Sequence, residues 1–131
     1  MLTNLKDKNI IITGGTSGLG LSVSKHFEAK NNVIIVGNKN YRKVKNSKKV
    51  INSNIYKTDL TNNTQTEQMF KKIKLRYNKI DLIVCFAGIS KPIKFKDIGP
   101  SHWLNSFKAN FLTATNTIES YDKTFKKKRL K

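Results

Sequence analysis

An α/β fold with a doubly wound, mostly parallel sheet is predicted by three observations in this chain of 131 residues. Short apolar runs rich in β-branched residues recur four times, and longer stretches of helical period separate them. A glycine-rich turn joins the first run directly to the first helix. The resulting order, β-α-β-α-β-α-β-α, calls for parallel strands with helices on both faces, and the sheet is expected to stop after about four strands.

The first strand is read near Asn9 to Thr13, where three isoleucines stand in a row. The turn Gly14-Gly15-Thr16-Ser17 follows, and a helix opens at about Gly18 with Leu19, Val23 and Phe27 on one face, at i, i+4 and i+8. It ends near Asn31-Asn32. Val33-Ile34-Ile35-Val36 is a second strand, stopped by Gly37-Asn38. Strand, helix and strand within about 30 residues make a right-handed βαβ unit. The stretch from Lys39 to Lys49 is so basic, with only Tyr41 and Val44 apolar, that any helix in it is short.

A third strand near Asn54 to Lys57 leads into Thr58-Asp59-Leu60-Thr61. Thr64 with Glu67 three residues on reads as a capping box. The helix behind it carries Met69, Ile73 and Tyr77 on one face and is expected to end at Asn78. Asp81 to Phe86 is the fourth strand, buried on both sides by its continuous apolar run. Ala87-Gly88 turns out of it. Pro100-Ser101 opens the last helix, with Trp103, Phe107, Phe111 and Ala114 along one side as core or a subunit contact. Residues 1–121 thus form one domain, and 122–131 read as a basic C-terminal tail.

Composition narrows the function. Formal net charge is +18, but 26 basic residues include only three arginines, Arg42, Arg76 and Arg129. Lysines scattered along the chain rather than striping a helix argue for a solvated surface and against specific nucleic-acid binding. No apolar run reaches membrane-spanning length. Met1-Leu2-Thr3-Asn4 lacks the basic start and apolar core of a signal peptide, so a cytoplasmic location is expected. The single cysteine, Cys85, has no internal partner and reads as a small buried hydrophobe in a reducing compartment. His26 and His102 lack neighbours at metal-ligand spacing, and no metal is expected.

The glycine turn carries the chemistry. Glycines let the backbone approach a phosphate, and unpaired N–H groups at the helix start point at it with the helix dipole behind them. Nucleotide binding follows, with Ser17 placed to hydrogen-bond a phosphate and Thr13 to brace the turn.

These residues resemble the short-chain dehydrogenase/reductase family. Thr13-Gly14-Gly15-Thr16-Ser17-Gly18-Leu19-Gly20 matches its T-G-x-x-x-G-x-G cofactor motif at every fixed position. Asp59-Leu60 is similar to its adenine-contacting pair, Ala87-Gly88 to the end of its N-N-A-G turn, and Asn110 to its helical catalytic asparagine. The resemblance implies a Rossmann-like fold and an NAD(P)-dependent oxidoreductase moving hydride between a carbonyl and an alcohol. It assigns pyrophosphate and adjacent ribose to Gly14, Ser17, Gly18 and Leu19, and adenine to Asp59 and Leu60. Ala87 and Gly88 would line the ribose groove, and Asn110 would position a water in the proton relay.

Two departures bear on this. The N-N-A-G turn reads Cys85-Phe86-Ala87-Gly88, so two amides are replaced by a thiol and a ring. The family's serine and Tyr-x-x-x-Lys proton donor have no counterpart. Tyr41 with Lys45 is a chance match on the adenosine side, and Tyr121 has Phe125 at the fourth position. The resemblance therefore implies an N-terminal segment, with a cofactor platform and no proton donor of its own.

A carboxylate at the end of the second strand binds the ribose of NAD and repels the 2′-phosphate of NADP. No Asp or Glu occurs between Glu28 and Asp59, and Gly37 stands where the acid would be, with Asn38, Lys39 and Arg42 near. NADP is favoured over NAD. Expected partners are a small carbonyl or alcohol substrate, if the fold is completed, and a homo-oligomeric neighbour or a complementing polypeptide. The alternative reading is a non-catalytic nucleotide-binding module or one half of a split enzyme. A basic nucleic-acid-binding protein is a third, weaker one.

Overall fold

The computed structural model describes residues 5–39, 44 and 54–126. Four parallel strands run β1 (Asn9–Thr13), β2 (Asn32–Gly37), β3 (Asn54–Lys57) and β4 (Leu82–Cys85). Their spatial order is β3-β2-β1-β4. Ile11 of the central strand β1 stands between Ile34 and Ile83 in the ladder.

Helix α1 (Gly18–Glu28) links β1 to β2, and α2 (Asn63–Lys74) links β3 to β4. A 3₁₀ turn at Phe95–Asp97 precedes α3 (Pro100–Phe107), which passes through a π-turn (Lys108–Leu112) into α4 (Thr113–Phe125). The predicted single helix is thus one rod whose register shifts at the π-turn.

Side chains alternate across the sheet, as the pleat requires. Ile11, Ile34 and Val36 pack with Met69, Phe70 and Ile73 of α2, and with Tyr121 and Phe125 of α4. Ile10, Ile12, Val33 and Ile35 pack on the other face with Val23 and Phe27 of α1 and with Val44. Burial of both faces explains why β1 and β2 read as unbroken apolar runs. The doubly wound α/β prediction holds.

Several local expectations are corrected. Leu19 is 67% exposed and lies off the packed face of α1, whose buried positions are Gly20 and Ser24. The helix comes so close to the glycine turn that a Cβ at Gly20 would strike the Gly14 carbonyl, and only glycine fits there. Helix α2 starts two residues before the predicted box: Asn62 is the N-cap, its side chain accepting from the Gln65 N–H at 3.0 Å. Glu67 instead meets Lys123 of α4 at 2.9 Å. The helix ends at Lys74 with Leu75 as its C-cap, not Asn78, and Tyr77 joins the core from beyond the helix.

β4 is shorter than expected and only half-buried, with Cys85 exposed. Among the described residues no strand pairs with its far edge, so the apolar run lacks the cover that a central strand has. Trp103, Phe107 and Phe111 are exposed rather than core. The buried positions of α4 are instead Thr113, Thr117 and Ser120, next to the core-packed Tyr121 and Phe125. Helix α4 continues to Phe125, so residues 122–125 of the expected tail are helical. Val44 is helical and buried, while the rest of the basic stretch 40–53, with Tyr41, Arg42 and Lys45, lies outside the described residues, as does 127–131.

The entry into β4 is tied to β1 by Asp81, whose carboxylate accepts the Asn9 N–H at 2.9 Å and meets Lys79 at 2.9 Å. The Asn9 hydrogen bond, then that of Lys79, holds the Asp81 pKa below its ordinary value. A lowered carboxylate pKa contributes stability that is present above the unfolded value and lost as pH falls through the folded one. Thermal melts from pH 6 down to about pH 3 are therefore expected to show a loss in the native chain that is smaller in Asp81→Asn.

Candidate nucleotide cleft

A cleft of about 320 Å³ opens at the carboxyl ends of the strands, beside the point where the connections from β1 and β4 diverge. Open parallel sheets bind ligands at this topological switch point. Its floor is the glycine turn and the end of β2. One wall is the Thr58–Thr61 segment after β3, and the other is Ala87–Ile89 after β4, backed by Ala109 and Thr113.

The floor depends on backbone that only glycine allows. Gly14 has φ +68°, and a Cβ there would fall 2.6 Å from the Phe86 carbonyl carbon and 2.7 Å from the Ala87 nitrogen. The turn and the segment after β4 are therefore in direct backbone contact. Ser17, the N-cap of α1, makes no capping hydrogen bond with its hydroxyl, and the first turn of α1 carries no acid. That end of the helix keeps its positive dipole end open to an anion.

Thr13 holds the chain as it leaves β4. The Phe86 N–H donates to the Thr13 carbonyl at 3.0 Å. The Ala87 N–H donates to Thr13 Oγ1 at 3.2 Å. Thr13 is buried, so replacing it with the near-isosteric valine leaves the Ala87 N–H unpaired. Thr13→Val is expected to cost about 1–2 kcal/mol in thermal or urea unfolding. Serine at 13 is expected to restore most of it.

Cys85 lies beside this contact. Desolvation raises its thiol pKa, with a hydrogen bond to Thr13 acting in the opposite direction.

Across the cleft Asp59 Oδ1 accepts from the Thr61 N–H at 3.0 Å and the Thr61 hydroxyl at 2.7 Å. The Gln65 side chain accepts from the Asp59 N–H at 3.2 Å. These bonds fix the turn that brings Asp59 and Leu60 to the wall. Asn116 of α4 donates to the Leu60 carbonyl at 2.9 Å and secures it from behind.

Of the residues expected at the site, Gly14, Ser17, Asp59, Leu60, Ala87 and Gly88 line the cleft, whereas Gly18, Leu19 and Asn110 do not. Gly18 and Leu19 begin α1 on its exposed outer side. Asn110 stands behind the wall in the π-turn. Its Oδ1 accepts from the Ile89 N–H at 3.0 Å, and its Nδ2 donates to the Ile89 carbonyl at 2.9 Å and the Ser106 carbonyl at 3.0 Å. The amide is spent on backbone, and a Cβ at Gly88 would collide with its Oδ1. What Asn110 does here is fix the loop after β4.

Thr113 is a site residue that sequence reasoning misses. Its hydroxyl lies 3.3 Å from the Ala87 carbonyl and 3.0 Å from that of Ala109. Nothing in the local sequence marks it, because its role depends on the π-turn that rotates it toward β4. Among the described residues no group of His, Cys, Asp and Glu is placed to hold a metal, and no helix is long and apolar enough to cross a membrane.

Comparison with known proteins agrees with this fold. The family model described as short chain dehydrogenase matches residues 8–129. An uncharacterized oxidoreductase of Bacillus subtilis, DltE, is 30% identical over 93 residues, covering 70% of this chain and 37% of the relative. A second from the same organism, YvaG, is 23% identical over 124 residues, covering 92% and 47%. The NADPH-bound carbonyl reductase from chicken fatty liver superposes with a TM-score of 0.80 at 15% identity, over 92% of this chain and 49% of that one. A short-chain dehydrogenase/reductase structure from Burkholderia xenovorans gives 0.82 at 18% identity, over 92% and 51%. The chain spans about half the length, or less, of these proteins.

Proposed function

This chain belongs to the short-chain dehydrogenase family, and from that premise we propose that its cleft holds the dinucleotide of an NAD(P)-dependent carbonyl/alcohol oxidoreductase, with NADP preferred. The observation that carries the reading is the Gly14 contact: a φ of +68° and a backbone approach with no room for a Cβ, at the floor of the cleft. That contact holds the glycine turn against the segment after β4 and sets the start of α1, with no acid in its first turn and no capping bond from the Ser17 hydroxyl, beside the cleft. It fits a phosphate-bearing ligand.

Gly14 and Ser17 would hold the pyrophosphate, Asp59 and Leu60 the adenine, and Ala87 and Gly88 the adjoining ribose. The bound nicotinamide would supply the hydride chemistry. The residues of this chain bind and orient: Thr13 and Asn110 fix the two sides of the loop after β4, and Lys39 brings positive charge to the β2 end. None of the described tyrosines has a lysine four residues on. Proton exchange with the substrate is therefore assigned to groups outside the described residues.

The test is a titration of the purified chain with NADPH and NADH, followed by cofactor fluorescence. Saturable binding with NADPH the tighter is expected. A folded chain that binds neither dinucleotide sinks the reading.

A second reading, a nucleotide-binding module completed by another polypeptide, is favoured by the unpaired far edge of β4 among the described residues. Such an edge exposes N–H and C=O groups that a partner strand would satisfy.

A further inference from the structure

Gly37 ends β2 with its Cα pressed against Thr16 of the glycine turn. A Cβ at position 37 would fall 2.5 Å from Thr16 Oγ1, 2.9 Å from Thr16 Cβ, and nearer still to Thr16 Cγ2. Neither side has slack. Thr16 is 7% exposed and, being β-branched, has few χ1 choices. Gly37 is buried and held in register, pairing with Lys57 and accepting the Thr58 N–H at 3.0 Å.

Both residues line the cleft, and so do Asn38 and Lys39 just beyond. Asp59 is the one acidic residue on the lining among the described residues; it stands on the adjoining wall after β3, and its Oδ1 accepts from the Thr61 N–H and hydroxyl.

We propose that Thr16 is a specificity-determining residue of this cleft: its side chain fills the space over the end of β2, bars a carboxylate from position 37, and leaves that end to Asn38 and Lys39. The inference rests on the dinucleotide reading and goes beyond it, because it names the contact that sets the preference. A carboxylate at 37 would accept from a ribose 2′-hydroxyl and repel a 2′-phosphate. With that position held to glycine, a 2′-phosphate meets no anion at the β2 end and gains a charge-assisted partner in Lys39. Position 37 could take an acid only if Thr16 changed with it.

Four chains test this: wild type, Thr16→Gly, Gly37→Asp and the double variant, each by thermal unfolding and by titration with NADPH and NADH. Gly37→Asp alone is expected to lower the unfolding midpoint by about 5–10 °C. The double variant is expected to recover at least half of that loss, and the cycle removes the separate cost of glycine at 16. Wild type is expected to bind NADPH at least about tenfold tighter than NADH, and the double variant to reverse the order.

A Gly37→Asp chain that folds only together with Thr16→Gly is the same result in extreme form, and Gly37→Ala runs the cycle with a single added carbon. Additive midpoint shifts, or a Gly37→Asp chain as stable as wild type, would overturn the interlock. A folded double variant that still prefers NADPH, or a wild type that prefers NADH, would overturn its role in specificity. Failure of wild type to bind either dinucleotide would remove the underlying reading and its specificity consequence, while the melting cycle still judges the contact by itself.

Discussion

Gly14→Val is expected to abolish dinucleotide binding and to destabilise the chain by about 3 kcal/mol. Two costs combine. A β-branched residue at φ +68° is a genuine backbone outlier. Its Cβ would also displace the Phe86–Ala87 peptide, which it would meet at 2.6–2.7 Å. Backbone cannot rotate away as a side chain can, so the segment after β4 must move, and the bonds from Phe86 and Ala87 to Thr13 go with it. Binding is lost because the floor of the cleft and the wall after β4 are displaced together. Fluorescence titration with NADPH reads the binding, and urea unfolding followed by far-UV circular dichroism reads the stability. A Gly14→Val chain that binds NADPH as wild type does would show that the ligand sits elsewhere.

Phe70→Ala is expected to carry the largest stability loss, about 3–5 kcal/mol. Phe70 is fully buried beneath α2 and meets the rings of Tyr121 and Phe125 of α4 edge-on, each at 6.4 Å. It joins two helices to the sheet at once, so truncation leaves a cavity that no single element can close. Against a usual domain stability of about 5–15 kcal/mol, the unfolding transition should move to much lower denaturant or disappear. Far-UV circular dichroism is the suitable probe, because the single tryptophan, Trp103, is 67% exposed and reports little of the core. Phe70→Leu keeps most of the volume and is expected to lose well under half as much. Equal losses for alanine and leucine would mean that this cluster is not the packed centre described.

The elements with the strongest local signals are legible in the amino-acid order. Ile10-Ile11-Ile12 and Val33-Ile34-Ile35-Val36 read as strands buried on both faces, and both are. Asp59-Leu60 and Ala87-Gly88 follow strands whose carboxyl ends face the cleft, and they line it. Signals shared by neighbouring residues mislead. Thr64 with Glu67 has the spacing of a capping box, but Asn62 caps the helix, leaving Glu67 to reach Lys123. The Glu67 partner lies on α4, 56 residues away in sequence, whose position no local pattern encodes.

Apolar periodicity fails at the strand and helices with least cover. The run Leu82–Cys85 has the composition of a central strand yet lies at an edge, half-buried, because composition records side-chain character and not the presence of a neighbour. Trp103, Phe107 and Phe111 have helical spacing and remain exposed for the same reason. Conversely, the buried positions of α4 are Thr113, Thr117 and Ser120, which the sequence presents as polar, beside the partly buried Tyr121 and Phe125. The hydroxyls of the two threonines bond backward to the carbonyls of Ala109 and Thr113 along the same helix, so small polar residues fit close packing.

The strand cores, the glycine turn and the start of α1 directly behind it follow from sequence, because each depends on residues adjacent in the chain. Folding adds what adjacency cannot carry: Thr13 takes the Ala87 N–H after β4, Asn110 spends its amide on the Ile89 backbone, and Thr16 holds position 37 to glycine. Each of those pairs residues 21 to 74 positions apart, and such a contact exists only once the sheet has set the distance between them.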